Sequence, residues 1–259
     1  MISSHSINWI GVATLYKKEV SRFLKVYNQT LLAPIVNAML LLAIFSLAMS
    51  NHVTHVEGVP FQVFMASGLI MMSVVQQAFA NTSSSFIMGK VIGTIIDFLM
   101  PPITAGEMIF SMVMAGITRG IIVGIMITAS IAIFVDISIY NIWIMLVFIV
   151  LASMMLSLLG LVAGIFSDSF DQMAAITSYI ITPLAFLSGT FYSVKQLPEF
   201  WYHVCHYNPF FYMIDGFRYG MTGYSDGSIS VGIATLSASV VVLWLVVYYL
   251  LAKGYRIKT

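Results

Sequence analysis

The sequence predicts an all-α membrane protein with six transmembrane helices, and three observations predict it. Apolar residues fill 60% and charged residues only 8% of the 259 positions, against roughly 25% charged in a soluble domain. The 11 Lys and Arg and 10 Asp and Glu are too few to clothe a water-facing surface of this size. Those charges also punctuate the chain into six apolar intervals of the length, about 20 residues, that crosses a hydrocarbon core of roughly 30 Å. An ordinary soluble enzyme is excluded on these grounds. Disorder is excluded by the burial that 18 Phe, 13 Tyr and 4 Trp offer. A net charge of +1 supplies no basic stripe, so no nucleic-acid partner is expected. Cys205 stands alone, which rules out an intrachain disulfide.

Residues 1–28 precede the first apolar interval and carry Lys17, Lys18, Glu19, Arg22 and Lys25 where a cleavable signal would be apolar, so the first span is expected to be the anchor. Within them Trp9, Ala13, Tyr16, Val20, Phe23 and Tyr27 alternate four and three apart, while Lys18, Arg22 and Lys25 fall on the opposite side. That pattern predicts a helix lying in the headgroup layer, rings toward the acyl chains and cations toward anionic lipid. Packing on a protein partner is the alternative for the same pattern.

The six spans are read as 31–50, 61–80, 106–135, 142–166, 173–187 and 229–252. An even count puts both termini on one side. Lys17, Lys18, Arg22, Lys25, Lys90, Lys253, Arg256 and Lys258 share that side, against Lys195 and Arg218 on the other. Basic residues stay inside, so both termini are expected in the cytoplasm.

Two connections are more than loops. Between spans two and three, Ser83–Ser85 could cap a separate helix, 83–99, that runs through Lys90 to Phe98 and is stopped by Pro101 and Pro102. Thr104 and Glu107, three apart, read as a capping box for the third span. Between spans five and six, residues 190–228 are expected to be external, with Pro198 and Pro209 breaking them into two short helices. Their dense aromatics suit the membrane–water interface, and a lining for the exit of a lipid-like substrate is the sharper alternative.

Arg119 is the one charge deep in a span, where an ionisable side chain is costly and needs a polar partner or a ligand. Either a carboxylate on another span or an anionic substrate would serve. Gly116, Gly120 and Gly124 beside it form a small-residue seam for helix packing, and Gly160 and Gly164 form a second one in span four.

Catalytic signatures are missing. Gly89-Lys90 has neither the earlier glycine nor the following hydroxyl of a phosphate-binding loop, so this chain is not expected to bind ATP itself. Asp215-Gly216-Phe217-Arg218 reads as a structural ion pair rather than an acid–base cluster. His52 and His55 are on the same predicted side as His203, Cys205 and His206, but tight binding needs three or four converging ligands and Cys205 points away from the face that His203 and His206 share, so no metal site is expected.

A basic amphipathic N-terminal helix and six spans come with three recognisable stretches. One is Gly93-Thr94, Asp97-Phe98-Leu99 and Pro101-Pro102-Ile103-Thr104; the second is Pro183 with Leu187-Ser188-Gly189-Thr190-Phe191-Tyr192; the third is Leu197-Pro198 with Asn208-Pro209. In this order they resemble the ABC-2-type transporter permeases over essentially the whole chain. Phe64, Gly68-Leu69-Ile70-Met71-Met72-Ser73 and Met213-Ile214, Gly216-Phe217-Arg218-Tyr219-Gly220 are most similar to the YadH-like branch. The resemblance implies a permease subunit of an ATP-driven exporter that moves an amphiphilic substrate outward by alternating access. It implies a homodimer meeting along the first and fifth spans, and two copies of a separate ATPase subunit that hold ATP and Mg. The coupling helix that docks on the ATPase would carry Lys90, Gly93, Asp97 and Phe98. Family coupling helices are often rich in charge; this one has only Lys90 and Asp97, so docking would be mostly apolar. An ion-coupled secondary transporter is the alternative, although such folds usually show paired interrupted helices and several midplane ionisable residues. A bacterial inner membrane is the expected location.

Overall fold

The computed structural model describes residues 7–49, 54–93 and 103–255. Helix α1 (Trp9–Lys25) starts at Asn8, whose side chain accepts the Gly11 N–H and caps the first turn. The first span, α2 (Asn28–Met49), opens with a π turn at Asn28–Leu32 and continues as α-helix from Ala33. A small antiparallel pair, β1 (His55–Val56) and β2 (Val59–Pro60), turns the chain back through Glu57 and Gly58, both at positive φ. It leads into α3 (Phe61–Ile92), whose 32 residues make a rod of about 48 Å.

Helix α4 (Ala105–Ile131) begins with the capping box that the sequence spells: Glu107 N–H donates to Thr104 Oγ1, and Thr104 N–H donates to Glu107. Helix α5 (Ile142–Phe166) is capped by Asn141, and α6 (Phe170–Leu187) is interrupted by a second π turn at Thr177–Ile181. A single 3-10 turn (Val194–Gln196), α7 (Glu199–Tyr207) and α8 (Pro209–Thr222) precede the last span, α9 (Ile229–Ala252). Among the described residues six helices are thus long and apolar enough to cross a bilayer.

The small-residue seams decide how these helices pack. A Cβ on Gly116 would strike Ser157, one on Gly120 would sit 2.5 Å from Ser153 Oγ, and one on Gly124 3.0 Å from Val74. Those on Gly160 and Gly164 would strike Thr82 and come within 2.8 Å of Phe86. Bare glycine therefore lets α4 and α5 close on α3 and on each other. Helix α3 becomes the hub: 78% of its apolar window is buried, against 22% for α2 and 17% each for α6 and α9. Asn8 and Tyr255 meet the same face of the bundle. Asn8 N–H donates to Glu107 Oε1 at the start of α4, and the Tyr255 ring stands 6.0 Å from that of Phe166 at the end of α5. We call this the terminal face and the opposite one, which carries α7, the loop face.

Four expectations change. Residues 83–92 do not start a separate helix; they continue span two without a break. The serines that looked like caps are engaged sideways, Ser84 Oγ on the Asn81 carbonyl and Ser85 Oγ on Glu19, and nothing between Phe61 and Ile92 breaks the helix. The remainder of the 83–99 segment lies outside the described residues from position 94 onward. Second, α1 packs Val12, Leu15, Glu19 and Phe23 into the bundle, so of the aromatic stripe Phe23 is buried, Tyr16 and Val20 are half-buried, and Trp9, Ala13 and Tyr27 stay exposed. The helix thus has three faces, and the periodicity of rings does not mark the one that packs on the bundle. Third, the aromatics of α8 are not an interfacial belt. Phe210, Phe211 and Phe217 are buried against α5, α3 and α9, while α7 keeps Phe200 and Tyr207 exposed. Fourth, the third span ends at Ile131 rather than 135, and the fifth starts at Phe170 rather than 173.

Candidate functional site

Polar residues interrupt the apolar surface of α3 at three heights, and each height meets a different neighbour. In the middle, Ser73, Gln76 and Gln77 form a half-buried strip on a helix that is buried over most of its length. Opposite them, α2 presents Gln29 and Asn37, both exposed, and a cavity of about 240 Å³ lies between. Ala33 and Pro34 complete its wall. The carboxamides of Gln29, Asn37 and Gln76 make no hydrogen bond among the described residues; Gln77 accepts one from Arg119 Nη2.

That bond places Arg119. Its guanidinium is 5% exposed, faces the Phe23 ring at 5.9 Å and leaves Nε without a partner. A buried guanidinium with one neutral acceptor is under-satisfied, because its five N–H donors were all solvated in water. Among the described residues the side-chain hydrogen-bond partner of Arg119 is the amide of a neighbouring helix, not a carboxylate from another span.

Toward the terminal face, Glu19 of α1 is fully buried. It accepts Arg22 Nη2 at 3.0 Å, Arg22 Nε at 3.2 Å and Ser85 Oγ at 2.8 Å. Arg22 spans on to the Asn81 carbonyl at 2.6 Å and Ser84 Oγ at 3.1 Å, while Asn81 Nδ2 has no partner. One more turn along, Lys90 Nζ donates to the Ile165 and Ser167 carbonyls at 2.6 and 2.9 Å and pairs with Asp168 at 3.5 Å. Its charge sits on the last free carbonyls of α5, where a cation is favoured. Lys90 therefore faces inward; Gly93 ends the helix at φ 79, and Asp97 and Phe98 lie outside the described residues.

At the loop end, Arg218 is 1% exposed. Its Nε donates to Ser67 Oγ at 3.1 Å, its Nη2 to the Gly189 carbonyl at 2.6 Å, and its plane lies 3.7 Å over Phe64. It does not pair with Asp215. That carboxylate instead accepts Ser225 Oγ and the N–H groups of Asp226 and Gly227, closing the turn before α9. Gly189 takes a left-handed φ of 75, Phe191 stacks on Phe186, and Tyr192 donates to the Leu187 carbonyl. Pro198 starts α7; Asn208 caps α8 ahead of Pro209 and donates to Leu184 and Ser188. Cys205 donates to the Leu187 carbonyl, and His206 lies between the rings of Tyr202 and Phe211. Among the described residues no cluster of metal-ligating side chains occurs.

Gln76, Gln77, Glu19, Asn81 and Ser67 were missed by the sequence reading. Two adjacent glutamines inside span two were a visible signal, as was a glutamate three residues before an arginine on the apolar side of α1.

A family model described as ABC-2 type transporter matches residues 11–222. The chain is 33% identical to the inner membrane transport permease YadH of Escherichia coli K12, over 97% of this chain and 98% of the relative. Nodulation protein J of Rhizobium leguminosarum bv. viciae is 24% identical over 95% of each chain. That of Neorhizobium galegae is 23% identical over 97% of this chain and 95% of its own.

Proposed function

The chain belongs to the ABC-2 type transporter family, and from that premise we propose that it is the permease of an exporter, moving an amphiphilic substrate outward by alternating access. A permease subunit of an ABC transporter is what membership establishes. Direction, substrate and assembly are our reading.

One observation carries it: the cavity between α2 and α3 is walled by the carboxamides of Gln29, Asn37, Gln76 and Gln77, and Arg119 donates to the last of them. Unpaired amides at membrane depth cost several kcal/mol unless something polar passes or rests there. The two π turns support the same reading, since they fall in α2 and α6, the first and fifth spans, and such turns recur at functional positions. In this proposal two copies meet along those spans, so the cavity opens toward the dimer axis. The terminal face is cytoplasmic, and the inner-membrane setting named for the YadH relative carries over.

The chain's own residues then have distinct tasks. Gln29, Asn37 and Gln76 offer hydrogen bonds that replace water for a polar group in transit. Arg119 orients Gln77. The segment after Gly93, with Asp97 and Phe98, receives the push of a separate ATPase, two copies per dimer, on which ATP and Mg are held. The experiment is affinity purification of the tagged chain in mild detergent. Equimolar ATPase is the expected result; a folded chain that brings none returns ion-coupled transport as the mechanism. Phe98→Asp should lose the ATPase while the chain still inserts and folds.

A further inference from the structure

We propose that the groove between α1 and α4 seats one anionic phospholipid of the leaflet at the terminal face, its acyl chain along α4 and its phosphate on Lys17. The proposal rests on the six-span fold and is independent of the exporter reading. The groove encloses about 210 Å³ between Trp9, Ala13 and Tyr16 of α1 and Phe110 and Met114 of α4. The two hydroxyls beside it are spent. That of Tyr16 bonds the Thr118 hydroxyl at 2.9 Å, and Ser111 Oγ donates to the Glu107 and Val12 carbonyls. Water held in such a space needs at least two polar partners, and these walls leave none free. A hydrocarbon chain is the occupant they accept.

The groove continues as a track. Phe110, Met114, Ile121 and Ile125 follow one another at intervals of four, seven and four on one face of α4, all of them exposed or half-buried. From Phe110 to Ile125 the track is about 22 Å long, more than the roughly 15 Å of hydrocarbon in one leaflet. A single acyl chain can lie along it from end to end.

Charge decides which lipid. The one carboxylate of α1, Glu19, is buried against Arg22, so the charges that the helix exposes are Lys17, Lys18 and Lys25. Lys17, four residues after Ala13, lies about 40° from it round the helix and stands at the edge of the groove, whereas Lys25 lies about 120° away. A lysine near an anionic membrane surface strengthens binding about fivefold. A zwitterionic headgroup carries its own ammonium beside the phosphate and gains little from it. The exposed Trp9 ring, at the mouth of the groove, suits the boundary between headgroups and chains.

The test uses the full chain, without any ATPase, in phosphatidylcholine nanodiscs that contain increasing amounts of either phosphatidylglycerol or phosphatidylcholine with brominated chains. Bromine quenches indole fluorescence on contact, and the difference between the wild type and Trp9→Phe isolates the Trp9 signal. Trp9 is exposed, so phenylalanine there leaves the packing intact. Half-quenching of Trp9 at a mole fraction about fivefold lower for brominated phosphatidylglycerol is the expected result. Lys17→Gln should remove most of that preference while quenching by brominated phosphatidylcholine stays as it was, and Lys25→Gln should leave at least half of the preference in place. Equal quenching by the two lipids overturns the proposal. So does a loss in Lys25→Gln as large as in Lys17→Gln, which marks diffuse attraction to the surface in place of a site. Trp9 that neither lipid quenches overturns it as well, since a protein would then cover this side of α1.

Discussion

The two buried arginines that touch α3, Arg218 near the loop face and Arg119 near the middle, are opposites in how well they are held. Arg218 has a hydroxyl and a carbonyl as acceptors and lies flat on Phe64, and among the described residues no buried side-chain polar atom around it lacks a partner. Arg119 has one amide, a distant ring and an orphaned Nε, and one turn further along α3 the Asn81 Nδ2 is orphaned too. Satisfied networks fix a fold, whereas partly satisfied ones store free energy that a ligand or a movement can release. The loop end of the bundle is thus built to stay, and the middle to respond.

Breaking each end should produce unequal losses. The largest is expected for Arg22→Leu, which strands the fully buried Glu19 carboxylate; removal of one partner of a buried pair costs about 3–5 kcal/mol. Thermal unfolding in detergent should show it, and Glu19→Leu added to Arg22→Leu should restore most of the loss. Next comes Arg218→Leu, which takes the guanidinium donor from the Gly189 carbonyl and from Ser67, whose hydroxyl keeps its bond to the Phe64 carbonyl, and opens space over Phe64, for about 2–3 kcal/mol. Arg119→Leu should sharpen the contrast: replacing an under-paired buried charge by an apolar side chain is often neutral or stabilising. An unchanged or raised melting temperature with impaired transport is expected, and wild-type transport would return Arg119 to a packing role.

The smallest effect is one of pH. Burial first, then the hydrogen bond to Asp226, raise the Tyr224 hydroxyl above the ordinary tyrosine value near 10. Its folded value exceeds the unfolded one, so the stabilisation is complete below pH 10 and fades as pH rises through the folded value. Unfolding between pH 9 and 11 should show a steeper loss in the wild type than in Tyr224→Phe.

What the sequence disclosed follows the strength of local signals. Thr104 and Glu107 are a contiguous cap, Pro198 and Pro209 remove donors, and the glycine seams have no other use, so each could be read from neighbours alone. Length without charge gave the six spans. What stayed hidden depends on partners far away in the chain. Ser85 reads as a cap until Glu19, 66 positions earlier, is placed beside it. The rings of α8 look interfacial until α5 and α3 cover them. Gln76 and Gln77 count as two polar residues in an apolar average and acquire meaning only from Asn37 across the gap. The resemblance to a family supplied the permease reading, and could not supply which atoms face the cavity.

Lys90 was expected at a docking surface and turned inward instead, and this changes the mechanics of the bundle. Its ammonium clamps the last carbonyls of α5 to α3 at the end nearest Gly93. A load applied at that end meets two rods pinned together, not one cantilever free to bend. In the proposed exporter, thrust from the ATPase would be delivered as a tilt of the α3–α5 pair, with the glycine seam of α4 as the bearing against which the pair pivots.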